Sequence, residues 1–239
     1  MALTLSLIAG LSTIIGSIFI FFKKNKNVLL NSFAFAAGVM ITVSLIDLIP
    51  ESFSYLSTYY YPFPALLFVL ICFVIGILIS SFIDYYIPEN NPIYKIGIIS
   101  LIAIIMHNIP EGIATFMTTS TNLSLGLSLT IAIALHNIPE GISIAVPIYY
   151  STGNRKKALF YTFVSAISEP FGALLAFLFL KPFMNNLVMG LLMAMIAGIM
   201  SYISFFELLP KSLSYKNKSL SYIFLVIGII FMAINHFLF

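Results

Sequence analysis

Charged residues are scarce in this chain, making up 8% of its 239 residues, while 61% of the residues are hydrophobic. A soluble globular domain carries about 25% charged residues, so the composition excludes that class and predicts an integral membrane protein. The net charge of +3 does not indicate a nucleic-acid partner. We expect the basic residues to determine membrane topology, with the lipid bilayer as the surroundings and no nucleic acid bound.

Cysteine is almost absent, because Cys72 is the only one in the chain. An intrachain disulfide and a cluster of thiolate metal ligands are therefore excluded. The first apolar run, residues 1–22, has no basic stretch before it, and its lysines follow it. We expect a retained membrane span there rather than a cleaved signal peptide.

Long apolar runs follow one another along the whole chain. A spanning helix needs roughly 20 apolar residues, and eight runs meet this requirement with only short linkers between them. The predicted spans are 2–22, 30–50, 63–84, 94–117, 123–149, 158–180, 185–209 and 219–238. The sequence therefore predicts an all-α membrane protein with a single polytopic domain over residues 1–239.

Basic residues between the spans predict which way the chain crosses the membrane. The loops after spans 1, 3, 5 and 7 share one side and hold ten Lys or Arg residues, whereas the other side holds only Lys181. An excess of Lys and Arg marks the cytoplasmic side. Both termini are therefore predicted to lie outside.

Two internal repeats relate parts of the chain. The hexapeptide His-Asn-Ile-Pro-Glu-Gly occurs at 107–112 in span 4 and at 136–141 in span 5. Spans 2 and 7 share a second pattern, in which residues 37–52 and 197–212 are identical at seven of sixteen aligned positions. Each pair crosses the membrane in opposite directions, and we expect each hexapeptide proline to break its helix. Inverted repeats with broken helices are typical of secondary transporters. Chance recurrence remains the alternative for the second pattern.

Carboxylates without basic partners lie within the predicted spans. Such acids in hydrocarbon must be protonated or must hold a cation. The ionisable residues in question are Asp47, Glu111, Glu140, Glu169, Glu207, His107 and His136. This set favours a cation site over internal salt bridges.

The spacing within the hexapeptide predicts its geometry. Each residue advances about 100° around a helix, so Glu111 lies between His107 and Asn108, and the second copy repeats this order. A carboxylate between two other ligands can be shared by two metal ions. Two such helices face to face would form one imidazole-rich and one amide-rich pocket. The alternative is a pair of kinked helices packed around hydrogen-bonded polar side chains.

The ligand types limit which ion such a site would bind. Imidazole with carboxylate and amide suits divalent Zn, Fe, Mn, Co and Cd. The lack of a Cys or Met cluster disfavours Cu(I), and the histidines argue against Mg and Ca, which prefer oxygen ligands alone.

The remaining ionisable residues have different predicted roles. Glu169, directly before a proline in span 6, is a further candidate ligand. Asp47 and Glu207, each three residues before a proline, are either gate or relay acids or carboxylates at the membrane interface. His236 is expected to be interfacial. Asp84 and Glu89 are expected to be solvated.

The paired hexapeptide, followed by a glutamate in span 6, resembles the ZIP family of divalent metal transporters, and most closely its bacterial zinc transporters. The resemblance runs over nearly the whole chain and implies a 3+2+3 helix arrangement with a binuclear metal site. It implies that one ion binds His107, His136, Glu111 and Glu140, and that a second binds Asn108, Asn137 and Glu169, with the same two glutamates as bridges. The long His-rich loop of many eukaryotic members is reduced here to about residues 88–93, without histidine. A metal-sensing role of this loop is therefore not expected.

The motif and the resemblance together predict import of Zn(II), and of Fe(II), Mn(II), Co(II) or Cd(II), across the cytoplasmic membrane. The ions would be bound as substrate, without a cofactor. Import rather than export rests on the resemblance alone. Spans 2 and 7, with spans 1, 3, 6 and 8, are expected to form opposed bundles that alternate access.

Two other functions remain open at this point. An intramembrane zinc-dependent hydrolase would need metal-activated water, but the His-Glu-x-x-His signature is absent. A cation channel would share the metal site and differ in kinetics. We expect no enzyme activity, and small residues on several spans would permit a homodimer.

Overall fold

A computed structural model describes residues 1–22, 24–88, 91–180, 182–183, 185–214 and 218–238 of the chain. Four charged residues used in the sequence analysis lie outside the described residues. They are Lys23, Glu89, Lys181 and Lys216.

Within the described ranges, eight helices are long and apolar enough to cross a membrane, and there is no strand. The predicted all-α, eight-span fold is thus confirmed. We name the helices in chain order: α1 Ala2–Phe21, α2 Lys26–Leu56, α3 Pro62–Tyr86, α4 Pro92–Thr121, α5 Leu123–Thr152, α6 Arg155–Leu180, α7 Asn186–Ser212 and α8 Lys218–Leu238.

Asparagine side chains begin five of these helices by accepting hydrogen bonds from first-turn backbone N–H groups. The capping residues are Asn25, Asn91, Asn122, Asn154 and Asn185. Asparagine is a preferred N-cap because its oxygen satisfies an otherwise unpaired donor. Asn122 alone separates α4 from α5, so the two helices that carry the hexapeptides are antiparallel neighbours.

The predicted helix breaks at Pro110 and Pro139 are wrong. Helices α4 and α5 continue through these prolines without interruption. Each proline removes one backbone hydrogen bond, but the turns on either side stay bonded. Both helices are also packed against several neighbours, which hold them in place.

Wider helical turns occur instead at matching positions of α2 and α7. Val43–Leu48 and Ile203–Leu208 are π-helical. They coincide in the alignment of the second repeat, and Pro50 or Pro210 lies in the first turn of the helical piece that follows. A proline cannot donate to the turn before it, and π-helix occurs mostly as such single wide turns inside α-helices. The second repeat is therefore structural and not a chance recurrence.

The helices pack as two groups, with α1, α4, α5 and α6 in one and α2, α3, α7 and α8 in the other. Helix α2 contacts α5, and α7 contacts α4, where the groups meet. The expectation that spans 1 and 6 join spans 2, 3, 7 and 8 in opposed bundles is therefore wrong. Spans 1 and 6 pack instead against the two helices that carry the hexapeptides.

Glycines explain this packing and reveal its symmetry. Gly112 of α4 lies against the carbonyl oxygen of Glu169 in α6, and Gly141 of α5 lies against the carbonyl oxygen of Thr13 in α1. A Cβ atom at either glycine would collide with those backbone atoms. Small residues permit such close approach of membrane helices. Each hexapeptide glycine thus allows a neighbouring helix to pack in close backbone contact.

The second group repeats the same relationship. Gly38 of α2 lies against the backbone of Leu225 in α8, as Gly198 of α7 lies against the backbone of Phe73 in α3. The close contacts therefore recur when α1, α2 and α3 are exchanged with α6, α7 and α8, and α4 with α5. A 3+2+3 inverted repeat requires this exchange. The 3+2+3 arrangement itself, the orientation in the membrane and the external termini stay predictions.

Candidate metal centre

All seven predicted ligand side chains are buried, and they lie on α4, α5 and α6, which pack against one another. No more than 6% of any of these residues is exposed. They are His107, Asn108, Glu111, His136, Asn137, Glu140 and Glu169.

The imidazole-rich pocket forms where the two hexapeptides face each other. Glu111 Oε1 lies 3.0 Å from His107 Nε2 and 2.9 Å from His136 Nε2. Glu140 Oε1 lies 3.4 Å from His107 Nε2. One nitrogen from each histidine and one oxygen of Glu111 lie within 4.8 Å of one another. Ligands about 2 Å from a zinc ion can be about 4 Å apart, so small adjustments would bring these atoms onto one ion.

The amide side of the site is arranged by hydrogen bonds to α1 and α6. Asn137 Nδ2 donates to Glu169 Oε2 at 2.8 Å and to the carbonyl of Ala9 at 3.0 Å. Asn108 Nδ2 donates to the carbonyl of Ser165 at 3.2 Å. The structure thus brings Asn137 and Glu169 together. Asn108 of α4 bonds instead to Ser165, which lies one helical turn before Glu169 on α6.

Several oxygen atoms of the site have no hydrogen-bond partner among the described residues. These atoms are Asn108 Oδ1, Glu111 Oε2, Asn137 Oδ1, both Glu140 carboxylate oxygens and Glu169 Oε1. Buried polar atoms are normally satisfied, since an unpaired one is costly. Carboxylate and amide oxygens are suitable ligands for divalent cations. The set therefore suits cation binding better than a purely structural polar network.

A cavity of about 660 Å³ reaches this site from the side of the α4–α5 connection. Glu111 and His136 line it, as do Asp47 of α2 and His236 of α8. The side chains of Asp47 and His236 are in direct hydrogen-bonding contact. His236, expected only to be interfacial, therefore contacts an acid on the wall of the cavity.

A second pocket lies between α3, α4 and α7 and is lined by Glu207. In its wall, Lys95 Nζ of α4 lies 2.7 Å from Asp84 Oδ1 of α3, and the Tyr202 hydroxyl donates to Asp84 Oδ2 at 3.0 Å. The expectation that Asp84 is merely solvated is therefore wrong. Since α3 and α4 belong to different groups, the Asp84–Lys95 pair joins them.

Sequence reasoning did not find these two side-chain pairs, Asp47 with His236 and Asp84 with Lys95. Asp47 and His236 are far apart in the chain, and hydropathy does not show which distant spans pack together. The second repeat gave one sequence signal, because it aligns Asp47 with Glu207. Asp47 lines the first pocket and Glu207 lines the second. The missing information was the packing of α2 against α8 for the first pair and the contact between the end of α3 and the start of α4 for the second.

Comparison with known proteins decides the family. The family described as ZIP Zinc transporter matches residues 88–236. The chain belongs to the ZIP family. It is 41% identical to the zinc transporter ZupT of Oceanobacillus iheyensis, an alignment that covers 98% of this chain and 96% of that protein. It is 40% identical to ZupT of Streptococcus mutans, covering 100% of this chain and 97% of the relative.

Membership of the ZIP family agrees with the eight apolar helices and makes this a multi-pass membrane protein. The family consists of transporters, so the chain is not assigned as an enzyme. The alternative of an intramembrane hydrolase finds no support. The seven ligand positions remain predictions for this ZIP protein.

Proposed function

We propose that this ZIP protein imports Zn(II), and also Fe(II), Mn(II), Co(II) or Cd(II), across the cytoplasmic membrane. The observation that carries the proposal is the position of Glu111, whose Oε1 lies between the imidazoles of two antiparallel helices. Imidazole combined with carboxylate favours divalent transition metals. The names of the relatives, zinc transporters, support the same substrate class.

The ion is a substrate in this proposal, and the protein has no resident cofactor. It enters through the cavity of about 660 Å³ and passes the Asp47–His236 pair on the cavity wall. It then exchanges water for protein ligands at Glu111 and His136. Carboxylates on this route compensate the positive charge of the ion, which would otherwise be costly to place at membrane depth.

The site is proposed to hold two ions. The first binds the imidazole-rich pocket, where the hexapeptide histidines and glutamates meet. The second binds the amide-rich pocket near Asn137 and Glu169, with Glu111 and Glu140 as bridges. The unpartnered oxygens of Glu111 and Glu140 support the bridging role, because each glutamate has an oxygen that makes no hydrogen bond to another described residue.

Release to the cytoplasm requires the opposite side to open. The two groups of helices meet at the cavity on one side and at the Asp84–Lys95 pair on the other. We propose that movement of one group against the other exposes the site alternately to the two sides. A saturable uptake rate would support such a carrier over a cation channel.

Uptake of radioactive zinc into proteoliposomes tests the proposal. We expect wild-type protein to take up zinc and the variants Glu111→Ala and Glu140→Ala to lose nearly all uptake. Thr162→Val is the control, since the buried Thr162 hydroxyl bonds the Ala158 carbonyl of its own helix and Thr162 is not a predicted ligand. Zinc uptake by Glu111→Ala at the wild-type rate would refute the assigned path. Absence of uptake by folded wild-type protein would refute transport itself.

Assembly as a homodimer also stays a prediction. Sedimentation of the purified protein in detergent would measure its mass and decide between monomer and dimer.

A further inference from the structure

Thr13 of α1 occupies the position that is related to Glu169 of α6 by the internal symmetry. Gly141 lies against the carbonyl oxygen of Thr13, as Gly112 lies against the carbonyl oxygen of Glu169. The same relationship appears one turn further along these helices, where Gly16 lies against Ile138 as Gly172 lies against Ile109. Both pairs of contacts give the same alignment of α1 with α6, in which Thr13 matches Glu169 and Gly16 matches Gly172.

The asparagines of the hexapeptides follow this register as well. Asn137 donates to the carbonyl of Ala9 in α1, and Asn108 donates to the carbonyl of Ser165 in α6. Ala9 is four residues before Thr13, as Ser165 is four residues before Glu169. The exchange of α1 with α6 therefore also exchanges the two asparagines. Thr13 is placed relative to Asn108 as Glu169 is placed relative to Asn137.

The two halves differ in one respect. Asn137 donates to the Glu169 side chain at 2.8 Å. Thr13 is fully buried, and among the described residues neither its Oγ1 nor Asn108 Oδ1 has a hydrogen-bond partner. A helical threonine can bond the carbonyl four residues before it, and buried Thr162 of α6 does so to Ala158 at 3.0 Å. The Thr13 hydroxyl does not make such a bond.

From these observations, and resting on the proposed function, we propose that Thr13 is a further residue of the amide-rich metal site. The Thr13 hydroxyl takes the place, in the α1 half of the site, that the Glu169 carboxylate has in the α6 half. Together with Asn108 Oδ1 it supplies neutral oxygen ligands there. It contacts the second ion directly or through a water that the ion retains. Site affinity rises with the number of charged ligands, so a hydroxyl in this half limits how tightly the ion is held.

The proposal predicts an effect on ion selectivity. Mn(II) binds oxygen ligands readily, whereas Zn(II) also binds imidazole well. Mn(II) binding therefore depends more than Zn(II) binding on the oxygen ligands of this half of the site. Removing the hydroxyl should therefore lower Mn(II) uptake several-fold while changing Zn(II) uptake little.

Three substitutions in proteoliposomes test this inference. Thr13→Val keeps the shape of the side chain without the hydroxyl, Thr13→Ser keeps the hydroxyl, and Thr162→Val removes a buried hydroxyl that already bonds its own helix. We expect a several-fold lower ratio of Mn(II) to Zn(II) uptake only in Thr13→Val. A wild-type ratio in Thr13→Val, or the same reduction in Thr13→Ser or Thr162→Val, would overturn the role of this hydroxyl.

Wild-type zinc uptake separates this inference from the proposed function. If wild-type protein takes up zinc but Thr13→Val keeps the wild-type ratio of Mn(II) to Zn(II) uptake, only the inference about Thr13 is refuted. If folded wild-type protein takes up no zinc, the transport assignment is refuted. Thr13→Asp provides a second readout. We expect a several-fold lower KM for Mn(II) together with a lower maximal rate, since a second carboxylate would hold the ion longer. Unchanged KM and maximal rate in folded Thr13→Asp would contradict the inference.

Discussion

Glu111 Oε1 lies 2.9 Å from His136 Nε2, across the interface between α4 and α5. The same oxygen lies 3.0 Å from His107 Nε2 of its own helix. The two copies of the hexapeptide therefore form one pocket between them. A change in either copy would therefore alter the same pocket, and under the proposed function the ligands of the same ion.

Zinc should stabilise the protein through this pocket. A ligand present at 100 times its dissociation constant adds about 2.7 kcal/mol to the free energy of unfolding. We expect zinc to raise the Tm of wild-type protein in detergent, measured by circular dichroism, and to have little effect on Glu111→Gln. Mg(II) should raise the Tm less, since it prefers oxygen ligands and retains its water. An equal zinc shift in both proteins would exclude Glu111 as a ligand.

The asparagines should influence which metal is transported. They supply neutral oxygens to the proposed second site, and Asn137 is bonded to Glu169. We expect Asn108→Ala and Asn137→Ala to reduce Fe(II) or Mn(II) uptake more than Zn(II) uptake. Competition of each metal against radioactive zinc measures this preference. An equal loss for every metal would count against two distinct sites.

Gly112 should not tolerate a side chain. A Cβ atom there would overlap the carbonyl oxygen of Glu169 and move α6 away from α4. We expect Gly112→Ala to lower the free energy of unfolding by about 1–3 kcal/mol and to impair uptake. In Gly97→Ala, the new methyl group meets side-chain atoms of Ile148 and Pro147 rather than backbone atoms, so we expect a smaller loss of stability. Equal thermal stability of the two variants would show that the α4–α6 contact is less close than described.

The Asp84–Lys95 pair should favour the arrangement in which the cavity beside Asp47 and His236 is open. Breaking a partly exposed pair costs about 0.5–1 kcal/mol, which corresponds to a change of about two- to five-fold in the balance of two states. We expect Lys95→Ala to increase, by this factor, maleimide labelling of a cysteine placed at Ile96 in the second pocket. The background is Cys72→Ser.

Exchange of the two charges provides the control for this experiment. The double variant Asp84→Lys, Lys95→Asp should label at a rate close to that of the parent. If Lys95→Ala labels no faster than the parent, the pair does not hold the two groups together.

The membrane orientation predicted from the basic residues can be measured with single cysteines. Ser124, after the α4–α5 connection, and Thr152, before the α5–α6 connection, are both exposed. In a Cys72→Ser background, we expect an impermeant maleimide to label Ser124→Cys in intact cells and Thr152→Cys only after permeabilisation. The reverse pattern would invert the topology, and with it the side to which the cavity opens.

Some features of the fold were predictable because they depend on local sequence. Eight apolar runs had to become helices, since a backbone in hydrocarbon must satisfy its own hydrogen bonds. The prediction failed where tertiary packing overrides local preference. Pro110 does not interrupt α4, because the surrounding helices hold the backbone on both sides of it.

Hydropathy could not predict how the helices group. Nearly every span is apolar, so hydropathy does not distinguish a helix that packs against α4 from one that packs against α2. Contacts at Gly112 and Gly141 decided that α6 and α1 belong with the hexapeptide helices. Those contacts depend on shape rather than on polarity.

By itself, the sequence determined the number and kind of spans and the candidate ligands, because both follow from residue type and helical spacing. The angular order within the hexapeptide also predicted that Glu111 would lie beside His107, as the structure has it. Only the tertiary structure decided that Glu111 also reaches His136, that Asp47 meets His236, and that Thr13 mirrors Glu169. These relationships join distant helices, and close packing between helices, rather than the local order of residues, sets their distances.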